Sequence, residues 1–391
     1  MAAPLTGFSQ DRYGRQRRCP RMTDPTYPLR LGFPVKVMGR PGVKTQDTRR
    51  WQKDPHLRCS LELLDGVLDY LAKVRIDMYR LSSDIAPYAT HPDMPQFHSM
   101  VADSDAELRA FGRKAKDLGI RLSFHPSQYV LLNSPDPELT AKSIWDLSSQ
   151  AEMLDRMELD DEAVMITHVG GVYGDPEASR ARWIEGWNKC PEHVQRRLVL
   201  ENDDIRFSAA DVLWIHERTG VRLVFDYQHF WCLNPERLEI RDTFERFVNS
   251  WPEGCRPKMH FSSPRTELRE IKQKIVAGAK PKKGELLLNK PKPGARIKTV
   301  LRPPVWTGHS DFTNPFEFAT FMRMAEGLVF DVMLEGKSKD LSLLRLRGDL
   351  VRYAPDVAAR FGVTDAALAD EALVMANANA EDEPDVDEGE T

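Results

Sequence analysis

Acidic and imidazole side chains recur at one kind of position in this chain, immediately after a short apolar run. The runs are RLSFHP, VMITHVGG, LVLENDD, RLVFDYQH, PKMHFSS and VFDVMLEGK. The side chains that they carry are His125, His168, Glu201, Asp226 with His229, His260 and Glu335. Imidazole combined with carboxylate and water suits Mn²⁺, Zn²⁺ or Fe²⁺. The pattern therefore predicts a metal centre assembled from residues that are far apart in the sequence.

A parallel β barrel would bring these side chains together, because the carboxyl ends of its strands lie on one face and that face carries the active site. Short apolar, β-branched runs predict eight strands. These strands are predicted over 29–33, 77–83, 120–126, 163–171, 198–203, 221–227, 257–263 and 328–336. We therefore predict an α/β fold of the TIM (β/α)8-barrel type, with a metal cluster at the C-terminal face of the strands.

Helix-length patterns alternate with the strand patterns. They lie over 60–74, 104–118, 137–158, 177–189, 207–219, 235–250, 314–326 and 338–353. Residues 104–107 (SDAE) have the form of a capping box. Gly119 and Gly220 stand where a glycine commonly ends a helix. Neither GxGxxG nor GxxxxGK[ST] occurs at a strand–helix turn, so the sequence does not indicate a nucleotide cofactor.

His91 and His309 complete a set of nine candidate metal ligands with the residues above. A single histidine at a strand end is more often structural than metal-binding, but six strand ends with the same pattern reverse that expectation. Nine ligands are too many for one ion, so a cluster of two or three ions is predicted. Paired ions roughly 3.5–4 Å apart stabilise the attacking and leaving oxygens of a phosphoryl displacement. Glu201 is the expected bridging ligand, because it ends a central strand and has two oxygens.

Charge divides the chain into segments, although the formal net charge is only −4. We predict a disordered Arg-rich arm over 1–26, a barrel domain over 27–363 and an acidic disordered tail over 364–391. Residues 265–302 hold 12 Lys or Arg against 3 Glu, and we predict a basic insertion over 264–305. Contact with a polyanion and simple solvation are equally good interpretations of that insertion.

The sequence also carries indications of location. No stretch approaches the ~20 apolar residues of a membrane-spanning helix, and the N-terminus has no apolar segment typical of a secretory signal. The five cysteines form no CxxC pair and are odd in number. This favours free thiols in a reducing compartment, and we predict a cytoplasmic protein.

The order of the motifs resembles one known family. RLGFP, HP at 91–92, HPSQYV, THVGG, LENDD, FDYQHF, KMHFSS, GHSDF and MLEGKSKD occur in this order. They are similar to those of the UV damage endonucleases (the UvdE family). The resemblance implies a metal-dependent DNA repair endonuclease that nicks damaged double-stranded DNA immediately 5′ of cyclobutane pyrimidine dimers and 6-4 photoproducts. The products would carry a 3′-hydroxyl and a 5′-phosphate.

The resemblance also implies roles for individual residues. It maps the metal cluster onto the nine candidates, with Mn²⁺ preferred, and Glu201, His260 and Lys258 are the expected catalytic residues. Lys258, two residues before His260, matches a lysine that can be carboxylated in the family; a structural lysine neutralised by a carboxylate is the alternative. Gln128 and Tyr129 of HPSQYV match a pair that enters the duplex at the damage.

This sequence departs from the family pattern in its first and third loops. Ser127 replaces a glycine of HPGQYV, and Val37 stands where asparagine is frequent. Phe33 takes the place of a tyrosine, and we expect it to keep a stacking contact with DNA.

Other functions fit parts of the pattern. An apurinic-site endonuclease or a sugar isomerase could use the same barrel, although an isomerase would need neither Gln128 and Tyr129 nor a basic insertion. A damage-binding protein without catalysis would be expected to lack ligands, whereas every ligand position is filled. We expect the protein to act on damaged duplex DNA as a monomer, without a membrane partner.

Overall fold

The structure is a computed structural model of the chain. It describes the backbone of 9–10 and 16–17 and residues 28–275, 284, 286–288, 296–365 and 368. The two short N-terminal segments, Ser9–Gln10 and Gln16–Arg17, pair with each other in antiparallel fashion. The predicted arm over 1–26 and tail over 364–391 lie almost wholly outside the described residues.

Eight parallel strands, β1 to β8, form the centre of the protein and confirm the predicted α/β barrel. They are β1 (Leu31–Pro34), β2 (Met78–Arg80), β3 (Arg121–Ser123), β4 (Met165–Thr167), β5 (Leu198–Glu201), β6 (Arg222–Asp226), β7 (Lys258–Phe261) and β8 (Asp331–Leu334). Apart from β3 and β4, each strand pairs directly with the next in the chain, and β8 pairs with β1. A parallel bridge between Phe124 and Met165 joins β3 to β4 and closes the barrel.

The helices lie between successive strands, as the sequence predicted, and short helices add to them. The α-helices are α1 (Leu57–Lys73), α2 (Met100–Asp103), α3 (Asp105–Asp117), α4 (Pro137–Arg156), α5 (Pro176–Lys189), α6 (Glu192–Arg197), α7 (Ala209–Thr219), α8 (Tyr227–Cys232), α9 (Ile240–Val248), α10 (Pro315–Met324), α11 (Lys339–Tyr353) and α12 (Pro355–Arg360). Two 3₁₀ helices span Trp51–Lys53 and Pro95–Phe97. No helix in the described ranges has both the length and the apolar character needed to cross a membrane.

Of the predicted helix ends, the capping box at 104–107 is wrong and the glycine end at Gly220 is confirmed. The capping box predicted at 104–107 does not form, because Ser104 follows the short helix α2 and its hydroxyl donates to the carbonyl of Met100 at 2.7 Å. A capping box occurs instead at Ser208 and Asp211. Gly220 ends α7 with φ of +72°, a left-handed conformation that glycine adopts without a Cβ clash.

A buried ionic network closes the N-terminal end of the barrel, where β8 begins. Asp331 lies 3.0 Å from Arg30 and 2.8 Å from Arg121. Arg30 also pairs with Glu162 at 3.2 Å, and Arg256 lies 3.5 Å from Asp331. All five side chains are nearly inaccessible to solvent, so each charge needs these partners. The opposite, C-terminal end is therefore the end that remains available for a site.

The segment between β7 and β8 contains a small antiparallel sheet with strands Arg269–Lys274, Ile297–Arg302 and Leu286–Leu287. The Ile297–Arg302 strand is the central one. The base of this segment is held by a bridge between Pro264 and His309, and the guanidinium of Arg265 donates to the carbonyl of His309 at 2.8 Å. The segment thus leaves and re-enters the barrel at its C-terminal face.

Candidate metal centre

The carboxylate of Glu201 lies buried at the end of β5, at the centre of the candidate site. Its Oε2 atom is 3.2 Å from Nε2 of His125 and 3.5 Å from Nε2 of His168. Its Oε1 atom is 2.8 Å from Nδ1 of His260 and 3.7 Å from Nδ1 of His229. Four imidazoles, one from β7 and three from the segments that follow β3, β4 and β6, therefore surround one carboxylate.

Further candidates lie beside this group. Oε1 of Glu335 is 3.6 Å from Nδ1 of His260, and Oε2 of Glu335 is 3.7 Å from Nδ1 of His309. Oδ1 of Asp226 is 3.8 Å from Nδ1 of His229. Two sets of three have ligand atoms within 4.8 Å of one another, a spacing that could hold a metal ion: His125, His168 and Glu201, and Glu201, Asp226 and His260.

Burial and charge oppose each other in this group. Burial would raise the pKa of Glu201, but the imidazoles around it, His260 foremost, hold the pKa well below its ordinary range. Burial raises the pKa of Asp226 to about 8, and the nearby Glu201 carboxylate adds to the rise. Burial would lower the pKa of His229, but its carboxylate neighbours, Asp226 first, raise it to about 9. The site therefore retains protons that a bound cation would displace.

Three buried polar atoms in the site have no hydrogen-bond partner among the described residues. They are Nδ1 of His168, Oδ2 of Asp226 and Nε2 of His260. An unsatisfied buried polar group costs about 1–3 kcal/mol, so such atoms need a partner. The mixed imidazole and carboxylate donors fit a divalent transition metal. A buried group of histidine, glutamate and aspartate side chains that could bind a metal ion is thus present at the C-terminal face.

Asn202 positions two of the candidate ligands, although the sequence analysis did not single it out. Its side-chain amide accepts from the backbone N–H of Asp226 at 2.8 Å and donates to the carbonyl of Asp226 at 3.1 Å. The main-chain carbonyl of Asn202 lies 3.0 Å from Nδ1 of His229. A proton on that Nδ1 leaves Nε2 as the free ligand atom. The sequence feature that could have identified Asn202 is its position directly after Glu201 in LENDD.

Two more residues of this kind were missed. Arg80 ends β2 and forms an ion pair with Glu335; an arginine inside the predicted strand 77–83 was the signal. Gln228, next to His229, is buried and accepts from Ser262 Oγ at 2.7 Å. Its amide donates to the carbonyl of Trp306 at 2.7 Å, so it fixes the returning end of the inserted segment close to the site.

Lys258 lies inside the barrel one layer below His260. It is almost wholly buried, and its ammonium group donates to Ser123 Oγ at 2.7 Å. Burial, together with the charges of Arg121 and Arg80, lowers the pKa of Lys258 well below its ordinary value. No carboxylate within the described part of the chain forms an ion pair with Lys258, but the charges of Glu335 and Glu201 oppose the fall in its pKa.

His91 stands apart from the other eight candidates. It lies in the loop after β2, where its Nδ1 accepts from the backbone N–H of Asp93 at 3.3 Å. Its ring packs near Tyr88, at 6.2 Å between centroids. Within the described residues it pairs with no carboxylate and contacts none of the candidate imidazoles. His91 instead lines a cavity of about 440 Å³ with Ser127 and Asp84.

The loop after β3 carries Gln128 and Tyr129 away from the barrel. Both are exposed, and Tyr129 has 73% of its surface accessible. Val130 anchors the loop by donating its N–H to the carbonyl of Ser127 at 2.9 Å. An aromatic ring this exposed is not packed in the βα loop, so a purely structural role for Tyr129 does not fit.

The expectation for Phe33 is corrected. Its ring is completely buried and meets Tyr79 edge to face, at 5.4 Å between centroids. A ring with no accessible surface cannot stack on a base in this conformation. The reason is the register of β1, which turns Phe33 into the packed core.

Comparisons with known proteins agree with one another. The family model described as UV-endonuclease UvdE matches residues 57–359. The UV DNA damage endonuclease of Bacillus pumilus is 36% identical over 193 residues, which are 49% of this chain and 60% of that protein. The UV DNA damage endonuclease of Bacillus velezensis is 34% identical over 227 residues, or 57% of this chain and 70% of that protein.

A solved structure supports the same assignment. The crystal structure of SacUVDE is similar to this chain with a TM-score of 0.65 and 29% sequence identity. The similarity covers 82% of this chain and 98% of that chain. Because the family model matches most of the chain, the protein belongs to the UV-endonuclease UvdE family.

Proposed function

We propose that this protein is a metal-dependent DNA repair endonuclease that nicks double-stranded DNA immediately 5′ of ultraviolet photoproducts. Cyclobutane pyrimidine dimers and 6-4 photoproducts are the expected substrates, and the nick would leave a 3′-hydroxyl and a 5′-phosphate. The observation that carries the proposal is the convergence of four imidazoles on the buried carboxylate of Glu201. Buried polar atoms without a hydrogen-bond partner lie beside it.

The residues that would hold the metal are those gathered around Glu201 and Glu335, and we propose Mn²⁺, in two or three ions. When bound, divalent ions lower the pKa of a coordinated water and stabilise the oxygens of an in-line phosphoryl displacement. The proposed ligands are His125, His168, Glu201, Asp226, His229, His260, His309 and Glu335. His91 remains a prediction that requires its loop to move towards the others.

The protein's own residues would keep these ligands in the orientation that binding requires. Asn202 fixes the backbone of Asp226 and the ring of His229, and Arg80 holds Glu335. Outer partners of this type often change metal affinity or activity by about 10–100-fold. We propose that Glu201 would hold the metal at the centre of the ligand group, and that His260, whose Nδ1 is 2.8 Å from Glu201, is a catalytic residue.

Lys258 would contribute through its uncharged form. A bare ammonium beside divalent cations is unfavourable, and burial already favours the neutral amine. A neutral amine can add carbon dioxide through a new N–C bond and, by releasing one proton to solvent, become an anionic carbamate. We therefore keep carboxylation of Lys258 as part of the proposal. Native mass spectrometry should detect a mass increase of one carbon dioxide that disappears in Lys258→Met; its absence at saturating bicarbonate would remove carboxylation.

Damage recognition would rest on the exposed loop with Gln128 and Tyr129. Stacking of a base on an aromatic ring is worth about 1–3 kcal/mol, so Tyr129 could replace a base stack that a photoproduct has weakened. A damaged or mispaired nucleotide is cheaper to extrude from the duplex, which is one source of selectivity. Gln128 would occupy the gap that the extruded nucleotides leave.

The same proposal includes a monomer acting in the cytoplasm. Its support is indirect: the four described cysteines, Cys59, Cys190, Cys232 and Cys255, are free thiols, and free thiols are typical of a reducing compartment.

Mapping the product ends tests the reaction. Duplexes carrying one cyclobutane dimer, one 6-4 photoproduct or one abasic site would be labelled at either end of the damaged strand and treated with the Mn²⁺-loaded enzyme. We expect one cut directly 5′ of each photoproduct, with a 3′ end that a DNA polymerase extends. Cutting confined to the abasic duplex would favour an apurinic-site endonuclease and overturn the photoproduct assignment.

A further inference from the structure

A group of cations lies beside the candidate metal centre and has no role in holding it. Lys36 follows β1, and Lys337 and Lys339 follow β8. These loops are neighbours because β8 pairs with β1. Lys36 and Lys337 are exposed, whereas Lys339 is half-buried. Arg80, Glu335, Lys337 and Lys36 all act electrostatically on Lys339, as expected for side chains carried by adjacent loops.

A buried carboxylate fixes the arrangement of the two loops. Asp340 is inaccessible to solvent and accepts from the backbone N–H groups of Met38 at 2.7 Å and Gly39 at 2.8 Å. It also accepts from the hydroxyl of Tyr70 at 2.7 Å. These three donors are uncharged, so Asp340 is committed to joining the loops and does not neutralise the lysines through an ion pair.

The backbone on both sides is held in disfavoured conformations. Val35 has φ of +62° and Lys339 has φ of +53°, and a left-handed conformation is unfavourable for both residue types. Hydrogen bonds also fix the backbone between Glu335 and Lys339. Lys337 and Ser338 donate their N–H groups to the carbonyls of Ser310 and Asp311 at 3.0 Å each. Contacts with the rest of the fold thus fix the backbone of the two loops that carry the lysines.

The charges do not balance. The nearby carboxylate, Glu335, is already paired with Arg80 and lies between His260 and His309. None of the three lysines forms an ion pair with any residue that the structure describes. Burial and then the charge of Arg80 lower the pKa of Lys339 to about 8, while Glu335 opposes the shift.

We propose that Lys36, Lys337 and Lys339 form a phosphate-binding subsite that holds a backbone phosphodiester of the DNA substrate next to the metal centre. The inference rests on the proposed function and adds to it a defined contact outside the ligand set. A lysine binds a phosphate as a point charge with three rotatable donors. Three of them on two loops could follow one phosphodiester without reading its base.

The test uses the full-length, metal-loaded enzyme and damaged duplexes in which one phosphate at a time is replaced by an uncharged methylphosphonate. The wild-type enzyme should lose affinity at every linkage that it contacts. Lys339→Gln, and the exposed double variant Lys36→Gln/Lys337→Gln, should each become insensitive to replacement at one linkage. The slope of log K against log salt should also become shallower, by about one for each phosphate that the variant no longer neutralises.

Lys114→Gln is the matched control. Lys114 is also partly exposed, but it lies on the outer helix α3 and pairs with Asp65 at 2.7 Å and Asp69 at 2.8 Å. This variant should keep the wild-type sensitivity at every linkage. The double variant leaves the left-handed residue Lys339 unchanged, so the test survives if Lys339→Gln fails to fold.

Retention of the complete wild-type pattern by the double variant and by folded Lys339→Gln would overturn the subsite. A fall in turnover with an unchanged methylphosphonate pattern would also overturn it, because the lysines would then act through the ligands. Failure of the wild-type enzyme to cut or bind a photoproduct duplex is a different result, and it would reject the proposed function itself.

Discussion

Glu201 is the residue whose loss should affect the reaction most, since four imidazoles lie within 3.7 Å of its carboxylate oxygens. Glu201→Gln keeps the shape of the side chain and removes its charge. We expect nicking to fall by more than the roughly 10–100-fold that loss of an outer partner causes, with an unchanged circular dichroism spectrum. Glu317→Gln, a partly buried acid outside the cluster, is the control. Normal nicking by Glu201→Gln would remove Glu201 from the mechanism.

Replacing Asn202 should have a smaller effect than replacing Glu201, and the effect should be on metal affinity. Asn202→Ala removes the side-chain bonds to the backbone of Asp226 and keeps the main-chain carbonyl that contacts His229, so Asp226 would lose part of its alignment. Metal affinity should fall by about 10–100-fold, measured by titration with Mn²⁺. Asn234→Ala, which removes local bonds to Leu238, should leave affinity unchanged. Equal losses in both variants would indicate a general effect on stability.

Tyr129 is the residue on which damage selectivity should depend. Loss of one stacking interaction, about 1–3 kcal/mol, should weaken binding to a dimer-containing duplex in Tyr129→Ala while binding to undamaged duplex changes little. Tyr129→Phe keeps the ring and should behave as wild type. Tyr173→Ala, another exposed tyrosine, controls for loss of a surface aromatic. The same loss on both duplexes would reject a role in damage recognition.

At this scale the sequence was informative where a residue stands at a strand end. Strand direction alone brings His125, His168, Glu201 and His260 to one face, because parallel strands share their C-terminal ends. His91 and Phe33 were harder, since one lies in a long loop and the other depends on strand register. Register decides which face a side chain takes, and a shift of one residue reverses it.

At the level of elements, every predicted strand and every predicted long helix is present. Alternating apolar patterns of this length carry most of the information. The short helix α2 and the failed capping box at Ser104 show the limit: hydrogen bonds local to one turn compete with the predicted cap. The strands inside the inserted segment could not be predicted, because basic residues mask the apolar alternation there.

The inserted sheet carries exposed basic side chains next to the C-terminal face of the barrel, and its removal tests their use. Replacing residues 269–302 with a short Gly/Ser linker keeps Arg265 and Trp306, which hold the base. The slope of log K against log salt for duplex binding should become shallower, because fewer phosphates are neutralised. Removal of the acidic residues 381–391 is the control and should not reduce the slope. An unchanged slope without the sheet would mean that its charges are only solvated.

Across the whole molecule, metal binding should depend on pH. Burial raises the pKa of Asp226 to about 8, and the neighbouring carboxylates raise that of His229 to about 9, so at pH 7 this buried pair retains a proton that a metal must displace. For both groups the folded metal-free state binds protons more tightly than the unfolded state. Their contribution to stability is therefore lost as pH rises through these values.

We expect the metal-free protein to lose stability between pH 6 and pH 9, while Mn²⁺ binds more tightly at pH 9 and restores more stability there. Unfolding temperatures with Mn²⁺ and with a chelator, at both pH values, measure this difference. A gain from Mn²⁺ that is equal at the two pH values, or larger at pH 6, would contradict the assigned protonation of Asp226 and His229.

The most direct measurement is a nicking assay on a labelled duplex that contains one cyclobutane pyrimidine dimer, beside the same duplex without damage. Each would be incubated with the protein and either Mn²⁺ or EDTA. We predict a single cut immediately 5′ of the dimer, only with Mn²⁺ and only in the damaged duplex. Absence of any cut from a folded protein with metal bound, or a cut that persists in EDTA, would contradict the account of a metal-dependent damage endonuclease.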